Sequence, residues 1–527
     1  MSPFKPGPTP VIADAASNHY LADRNPSNAR TRPVNWLGQP SRRTVLKHLA
    51  QASILAPLLP SLMRGEQRST GRPDHRFLFF ADATVTYPGE LCYNAFAQLT
   101  TTVRNLELAP DFILSTGDDI DGNTENVDEL RSQWEHFLRL MRGHLGEQVP
   151  FYPSPSNHNI QGPAHVQAWK ERFGYLPQNG ARGQEGLSYA LRRGNLLLIA
   201  THQSDPQHGG HAHVETEWLE RMLQEHADAK YKVVFGHYPA LAVNGLRSAP
   251  LARLVEPDRD SFWALLVKHH VDLYLCGHIQ SFDARVADGI MQVCSAGACN
   301  GSRPPDSEYH HLALVTLNKG NVLVESVDAN GKIREWFSWP FKDAFTWKPF
   351  EPKALNESLN LLRPASSMYG MTDRRMLAFR VRAEEKSGRP GLSKTLVSGH
   401  IQWQQTETIW IGLEGFPSRL TVRLQPRHYF WQQVWSGPEV PADGPFQYEI
   451  LLDSGLGPGG ILWRSLSSAS GSKWTSFEST CSSGIDQLRW PEIWQTGVGM
   501  ISADDRDFEG NLDVEYAVQR VRHTPFF

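Results

Sequence analysis

The sequence has few cysteines, no excess of positive charge and no long apolar run. Five cysteines in 527 residues are too few for a disulfide-stapled scaffold. Lys and Arg number 52 against 56 Asp and Glu, so the chain lacks the basic excess that is typical of nucleic-acid binders. The 42 glycines and 36 prolines follow no three-residue period, which excludes a collagen-like chain. The apolar runs are shorter than the ~20 residues that span a bilayer, which argues against a transmembrane anchor.

The remaining composition is that of a globular protein with a large core. Forty per cent of the residues are apolar and 10% are aromatic, which excludes disorder along the whole chain. Shifts in composition predict four segments. These are a disordered amino terminus with an export signal (1–72), an α/β domain (73–335), a linker (336–370) and a β-rich accessory domain (371–527).

Paired arginines mark the amino-terminal segment. The run Ser41-Arg42-Arg43-Thr44-Val45-Leu46-Lys47 precedes the weakly apolar residues 48–62. This order resembles a twin-arginine signal, which is read by the twin-arginine translocase as an address for folded cargo. The resemblance implies a periplasmic, envelope or extracellular protein, and in that oxidising setting Cys294 and Cys299 are candidates to pair. The alternative is an ordinary amphipathic helix with two adjacent arginines.

Short apolar runs alternate with helix-like stretches from about Arg76 onward. Such runs predict strands that are buried on both faces, and the alternation predicts an α/β sheet. Ligands of these sheets bind at the carboxyl ends of the strands. Six runs lead into a polar residue at that end: 77–80 into Asp82, 112–114 into Asp118, 149–152 into Asn157, 196–199 into His202, 233–235 into His237 and 273–275 into His278.

The residue types at these strand ends are typical ligands of divalent cations. Asp, Asn and His side chains that converge at one edge suit a hard or borderline metal ion. Such an ion polarises a phosphoryl group and lowers the pKa of bound water. A single buried His or Asp is more often a structural group, so the interpretation depends on the order and spacing of the whole set.

Five ordered motifs make this pattern specific. They are Asp82-Ala83-Thr84, Gly117-Asp118-Asp119-Ile120-Asp121, Ser156-Asn157-His158-Asn159, Gly236-His237 and Gly277-His278-Ile279-Gln280. Residues 74–327 thereby resemble the calcineurin-like metallophosphoesterase superfamily, which includes the purple acid phosphatases. The resemblance implies a four-layer α-β-β-α sandwich that binds one or two divalent metal ions. Mn, Fe, Zn and Mg all accept mixed nitrogen and oxygen ligands, so the metal is left open.

The same resemblance implies the ligands. Asp118 would bridge two metal positions, and Asn157, His237 and His278 would complete one of them. The other position would keep Asp82 and the shared Asp118.

Three departures from the family pattern weaken the second position and the catalytic machinery. Thr84 and Gln280 stand where the family has histidine ligands, so this position should bind metal weakly. Asp121 and Gln280 are candidates for auxiliary oxygen donors. His158 occupies the position of the general acid that protonates the leaving oxygen. Asn159 replaces the acid that would support this imidazole, so we expect the imidazole to lose a partner that fixes its tautomer.

A histidine-rich loop offers one replacement for the missing ligands. Residues 204–215 carry His208, His211 and His213, and His202 lies just ahead of them. The favoured alternative is a solvated, glycine-rich loop.

The carboxyl-terminal part has a different pattern of apolar and polar residues. Runs such as 377–382 and 420–424 alternate apolar and polar residues, which predicts an all-β, sandwich-like domain. Eleven of the 16 tryptophans lie from Trp336 onward. Exposed tryptophans would stack on sugar rings, but packing in the core is the favoured interpretation.

The sequence thus predicts an exported metal-dependent phosphoesterase that hydrolyses a phosphomonoester or phosphodiester with metal-activated water. Its partners would be a small-molecule or headgroup phosphoester and the translocase, with no nucleic acid. One alternative is a degenerate, non-catalytic binding protein on the same scaffold. Another is an envelope glycan-binding protein that acts through the Trp-rich domain.

Overall fold

The computed structural model describes the chain from residue 72 to residue 522 with gaps. The gaps are residues 107–109, 205–211, 244–253, 255–257, 300–308, 341–344, 361, 363–372, 386–392, 402–406, 427–430, 442–443, 468–472, 480–484, 486–487 and 499–504. The twin-arginine motif at residues 41–47 lies outside the described residues. Residues 72–527 form one compact unit. Within the described ranges, no helix has both the length and the apolar character needed to cross a membrane.

Seventeen helices and strands, in chain order, form the α/β part of the described chain. They are β1 (His75–Phe80), α1 (Leu91–Asn105), β2 (Phe112–Ser115), α2 (Val127–Leu145), β3 (Phe151–Pro153), α3 (Pro163–Phe173), β4 (Tyr189–Arg193), β5 (Leu196–Ala200), α4 (Thr216–Glu225), β6 (Tyr231–Phe235), α5 (Asp258–Lys268), β7 (Leu273–Cys276), β8 (Phe282–Ala287), β9 (Ile290–Ser295), β10 (His311–Asn318), β11 (Asn321–Asp328) and β12 (Ile333–Trp339).

Two mixed sheets form the centre of this part. The first has the strand order β12-β11-β10-β1-β2-β3 and the second has the order β4-β5-β6-β7-β9-β8. Strands β1, β2 and β3 run parallel, as do β5, β6, β7 and β9. The carboxyl ends of the parallel strands in each sheet therefore lie at one edge, which is where the motif residues begin.

Side-chain alternation along the strands creates the layers. On β5, Leu196 and Leu198 belong to the core that also contains the first sheet, whereas Leu197 and Ile199 pack with Trp218 of α4 in a second core. Helices α1 and α2 bury Phe96 and Phe137 against the first sheet, and the two rings stack with their centroids 5.4 Å apart. This confirms the predicted four-layer α-β-β-α sandwich, because each sheet buries one face against the other sheet and one against helices.

The described residues of the carboxyl-terminal part are mostly in β-strands. Its elements are β13 (Lys348–Pro349), α6 (Pro352–Leu359), β14 (Asp373–Glu385), β15 (Ser393–His400), β16 (Glu407–Glu414), β17 (Arg419–Leu424), β18 (Gln433–Glu439), β19 (Pro445–Asp453), the 3₁₀ turn Ser454–Gly460, β20 (Ile461–Ser465), β21 (Thr475–Ser476), β22 (Glu478–Ser479), β23 (Ile493–Thr496), β24 (Asp505–Arg506) and β25 (Gly510–Arg522).

Two sheets pack face to face in this part, and their described strand pairs are antiparallel except for β15 with β24. One has the strand order β13-β25-β14-β19-β20-β21, and the other runs β22-β18-β17-β16-β15-β23 with β24 paired to β15. Leu377 and Phe379 from the first of these sheets share a core with Ile409 and Ile411 from the second. The additional all-β region predicted from the alternating sequence is therefore confirmed.

The predicted segment boundaries are not sharp breaks in this structure. Strand β12 continues to Trp339, past the linker start predicted at residue 336, and pairs with β11 through the register Val322 to Trp339. The predicted linker also contains α6. The division into four segments stays a prediction.

Most carboxyl-terminal tryptophans are core residues. Trp431 is 65% exposed, and Trp403 lies outside the described residues. The guanidinium of Arg380 covers the half-buried Trp347 ring at 4.2 Å from its centroid. Six of the eleven are buried: Trp336, Trp339, Trp410, Trp435, Trp474 and Trp494. Core packing, the favoured interpretation, accounts for most of the set.

The cysteine pairing differs from the expectation. Cys92 near the start of α1 is bonded to Cys299, whereas Cys294 is buried and is not disulfide-bonded. The expected pairing of Cys294 with Cys299 is wrong, because Cys294 lies inside β9 with its thiol directed to the carbonyl oxygens of Gly277 and Ile279. The bond that does form joins positions 207 residues apart in sequence.

Loss of this disulfide is expected to destabilise the protein substantially. A cross-link that closes so long a loop limits the entropy of the unfolded chain, and its removal typically costs about 2–5 kcal/mol in the free energy of unfolding. We expect Cys92→Ser/Cys299→Ser to unfold at a lower temperature than the wild type, as measured by calorimetry. Dithiothreitol should lower the wild-type midpoint and leave that of the variant unchanged. Equal midpoints for the oxidised wild type and the variant would contradict the prediction.

Candidate metal centre

The loops that follow the parallel strands have strained backbones. Asp82, Thr84, Asp118 and His278 all adopt positive φ angles, of 58°, 40°, 51° and 69°. L-residues rarely occupy this region, and residues that do are found preferentially at functional sites, where the surrounding structure holds them in place. The strain therefore coincides with three of the predicted metal ligands.

Two glycines allow these loops to approach one another. Gly117 has a φ of 96°, and a Cβ atom there would lie 2.3 Å from the Cβ of Ser156. A Cβ on Gly277 would lie 2.8 Å from the Oδ2 of Asp82. Any larger residue would separate the loops, so both motif glycines serve to bring strand ends together.

Three candidate ligands meet at one point. The Nε2 of His237 lies 3.3 Å from the Oδ2 of Asp118 and 3.1 Å from the Nδ1 of His278. One ligand atom from each of the three residues falls within 4.8 Å of the other two. Asp118 follows β2 in the first sheet and both histidines follow strands of the second, so the centre lies where the two sheets meet.

Hydrogen bonds around His237 select the nitrogen that faces this point. The Nδ1 of His237 lies 2.8 Å from the carbonyl oxygen of Thr116, which can only accept, so Nδ1 carries the proton. Nε2 is thereby left to act as a donor of electrons to a cation. The ring of Tyr238 packs against both imidazoles, with its centroid 4.6 Å from that of His278 and 5.2 Å from that of His237.

Asp82 lies beside this group. Its Oδ2 accepts a hydrogen bond from the backbone N–H of His278 at 2.9 Å. Burial, reinforced by the negative charge of Asp118, raises the pKa of Asp82 well above its ordinary value. Burial also opposes ionisation of Asp118, but the charge of His237 together with hydrogen bonds from His237 and Ser156 lowers the pKa of Asp118.

The pKa of His237 is shifted in the opposite direction from that of Asp118. Burial tends to lower the pKa of His237, but the Asp118 carboxylate raises it above the ordinary value. Protonation of His237 therefore competes with a cation for the point where nitrogen and oxygen donors converge. A cation would replace that proton and satisfy the same donors.

Asn157 supplies the best test of whether a metal fits. Its side-chain Oδ1 is buried, and no hydrogen-bond donor reaches it among the residues that the structure describes. A buried amide oxygen without a partner is unfavourable unless a ligand satisfies it. The residues on either side of it, Ser156 and His158, both form hydrogen bonds with Asp118. An amide oxygen beside one carboxylate and two imidazoles is chemically suited to a divalent cation.

His158 has a partner that the sequence did not predict. Its Nδ1 lies 2.5 Å from the backbone carbonyl oxygen of Asp121, and its backbone N–H donates to the Oδ1 of Asp118 at 3.2 Å. The expectation that replacement of the usual acid by Asn159 leaves the imidazole without a partner is therefore wrong. A main-chain oxygen fixes the tautomer in its place.

Asn159 and Asp121 have other roles than those considered for them. The Nδ2 of Asn159 donates to the Oδ2 of Asp119 at 3.0 Å, and its Oδ1 accepts from the Asp119 N–H at 3.2 Å. Burial raises the pKa of Asp119 to about 7. The Asp121 carboxylate accepts from Asn123 at 3.0 Å, and the Asp121 carbonyl oxygen faces the imidazole of His158.

Thr84 and His213 have partners outside the three converging ligands. Thr84 donates its hydroxyl to the Sγ of Cys92 at 3.2 Å, and Gln280 is half-buried two residues after His278. In the histidine-rich loop, His213 pairs with Asp258 at 2.8 Å, while His208 and His211 lie outside the described residues. Of the described histidines of this loop and its approach, none belongs to the group of converging ligands.

Two supporting residues were missed in the sequence. Ser156 accepts the N–H of Asp118 at 2.7 Å with its hydroxyl, and the side chain of Gln203 accepts the N–H of Tyr238 at 2.7 Å. Ser156 stands in the first position of a motif in which the family has glycine. That departure was the only sequence signal available for it, and Gln203 had none.

Affinity for Mn²⁺ is expected to rise with pH from about pH 5 to about pH 8, because bound protons compete with the cation. Both His237 and Asp82 have raised pKa values, so they retain protons above the pH at which such groups ordinarily lose them. Each proton released should change the dissociation constant about tenfold per pH unit. Titration calorimetry in two buffers of different ionisation enthalpy would count the protons. A dissociation constant that is independent of pH would contradict this assignment.

The comparisons with known proteins agree with the fold. Residues 75–282 match the family model of the calcineurin-like phosphoesterases, and this part of the chain has the metallophosphoesterase fold. No curated protein matches the chain.

Several solved structures are similar to this chain at low identity. Purple acid phosphatase PPD1 from yellow lupin (Lupinus luteus) seeds is 16% identical with a TM-score of 0.41, and the match covers 50% of this chain and 53% of that chain. A dimetal phosphatase from Danio rerio is 13% identical with a TM-score of 0.36, over 51% and 99% of the two chains. GAP50, the anchor in the inner membrane complex of Plasmodium, is 14% identical with a TM-score of 0.36, over 52% and 90%. The match thus spans about half the length of the lupin protein.

Proposed function

We propose that this protein is a metal-dependent phosphoesterase, a hydrolase that acts on phosphoric ester bonds. The observation that supports this most directly is the convergence of Asp118, His237 and His278 at the rim of the two sheets, with their ligand atoms within 4.8 Å of one another. The buried Asn157 oxygen without a donor among the described residues adds a fourth group of suitable chemistry.

Some residues of the centre would bind the cation, and another would transfer a proton. A divalent cation, when bound, polarises a phosphoryl oxygen and lowers the pKa of water. The two histidines, Asp118 and Asn157 would hold it. His158 would give a proton to the leaving oxygen, because its Nδ1 is engaged by the Asp121 carbonyl and Nε2 is left for proton transfer.

The finer parts of the proposal rest on the sequence. The twin-arginine motif at residues 41–47 supports export to the periplasm, the envelope or the exterior, with the translocase as a partner. The substrate would be a phosphomonoester or a phosphodiester, either of a small molecule or of a headgroup.

The experiment is a hydrolysis assay on the full chain after loading with Mn²⁺, Fe²⁺, Zn²⁺ or Mg²⁺. p-Nitrophenyl phosphate reports monoesterase activity and bis(p-nitrophenyl) phosphate reports diesterase activity. We expect release of p-nitrophenol that EDTA abolishes and that added metal restores. A protein that binds none of these ions and hydrolyses neither ester would favour the non-catalytic binding protein.

The glycan-binding alternative finds less support. Six of the eleven carboxyl-terminal tryptophans are buried, and the Trp347 ring is covered by Arg380. Trp431 remains exposed among the described tryptophans, and one exposed ring is a small surface for stacking on sugars.

A further inference from the structure

The donors of the candidate metal centre surround one point rather than two. Asp118, His237 and His278 share it, at the distances given above. A second cation beside the first would need its own nitrogen or oxygen donors on the side of Asp82. Across the described part of the chain, no further group of three or more His, Cys, Asp or Glu side chains comes together.

Two candidate oxygen donors for a second cation, Thr84 and Asp121, have partners of their own. The hydroxyl of Thr84 points to the Sγ of Cys92, whose sulfur is bonded to Cys299. The carboxylate of Asp121 accepts from Asn123. The disulfide and the Thr84 hydrogen bond thus occupy this side of the centre with structural contacts.

Asp82 is placed to orient a ligand. Its Oδ2 accepts the backbone N–H of His278, a residue whose φ of 69° is unfavourable for an L-amino acid. The side chain of Asp82 is 1% exposed, so no water competes for this bond. A hydrogen bond at this N–H compensates for the strained backbone and fixes where the imidazole points.

We propose that the centre holds a single divalent cation, bound by Asp118, Asn157, His237 and His278, and that Asp82 is a positioning residue for His278. The inference rests on the proposed function, because it presumes that the centre binds a cation. It specifies how many ions the centre binds, and it assigns Asp82 a positioning role rather than the role of a ligand.

The first experiment counts the ions. The metal-free full chain is titrated with Mn²⁺ by calorimetry, the metal content after gel filtration is measured by mass spectrometry, and the loaded protein is examined by electron paramagnetic resonance. We expect one ion per chain and the hyperfine pattern of an isolated Mn²⁺. Two ions per chain, or an exchange-coupled spectrum, would overturn the inference and leave the phosphoesterase proposal standing. No bound ion would overturn both.

The second experiment separates positioning from coordination. Asp82→Asn keeps an oxygen that can accept the His278 N–H, so its Mn²⁺ dissociation constant should change less than about tenfold, whereas Asp82→Ala should weaken binding about 10–100-fold. Asp118→Asn should weaken it further than either. Asp228→Asn, which changes an exposed carboxylate paired with Arg192, is the matched control. Thermal melting verifies that each variant is folded. Equal losses in Asp82→Asn and Asp118→Asn would show that Asp82 is a ligand.

Discussion

Replacement of His278 by alanine is expected to abolish both cation binding and phosphoester hydrolysis. His278 supplies one of the two imidazole nitrogens at the centre, 3.1 Å from the Nε2 of His237. Groups that only hydrogen-bond to a metal ligand are worth about 10–100-fold in affinity, so loss of a ligand itself should exceed about 100-fold. Activity should fall in parallel, because the chemistry supplied by the cation disappears with it.

Metal content by mass spectrometry and hydrolysis of the two nitrophenyl esters would measure this result. His226→Ala is the matched control, since His226 lies at the carboxyl end of α4, before the start of β6, and is not among the converging ligands. The control should keep the metal content and activity of the wild type. If His278→Ala kept both, the assignment of this centre would be wrong.

Replacement of His158 by alanine is expected to lower kcat about 10²–10⁴-fold, which is the usual contribution of a general acid. The metal content should stay the same, because the imidazole is held by the Asp121 carbonyl and is not among the three converging ligands. The two variants thus separate proton transfer from cation binding.

The choice of leaving group makes this prediction sharper. An alkyl phosphate needs a proton on its leaving oxygen more than p-nitrophenyl phosphate does, so His158→Ala should lose more activity on the alkyl ester. The pH profile of the rate should also lose the decrease at high pH that deprotonation of a general acid causes. Equal losses on both esters, or a loss of bound metal, would contradict the role proposed for His158.

Much of the candidate metal centre could be predicted from the sequence, because ligands of an α/β sheet bind at the carboxyl ends of its parallel strands. Asp118, His237 and His278 lie far apart in the chain, yet each follows a short apolar run at the end where parallel strands place their ligands. The same pattern predicted an α/β sheet, because continuous apolar strands require cover on both faces, and the family resemblance implied the four-layer sandwich. Residue type and position along the chain were sufficient for this part.

The support of the two imidazoles by main-chain atoms could not be predicted from the sequence. Asn159 in place of an acid predicted a loss of support for His158, yet the Asp121 carbonyl provides that support. The Thr116 carbonyl orients His237 in the same way. Every residue has a carbonyl oxygen, so nothing in the sequence tells which of them faces an imidazole.

The disulfide between cysteines that are far apart in sequence could not be predicted either. Cys299 pairs with Cys92 across 207 positions rather than with the nearby Cys294. Proximity in sequence was misleading, because Cys294 is fixed inside a strand and its side chain faces the loop after β7.

The sequence by itself determined the class of fold, the α/β and all-β parts, and the residue types gathered at one edge of the sheets. These follow from local apolar patterns and from the order of polar residues after them. The tertiary structure alone decided which donors share a point, which carbonyl oxygens hold the imidazoles, and that the side chain of Thr84 faces a disulfide. Those outcomes depend on how the two sheets pack and on the directions of backbone groups, neither of which is encoded in a local pattern.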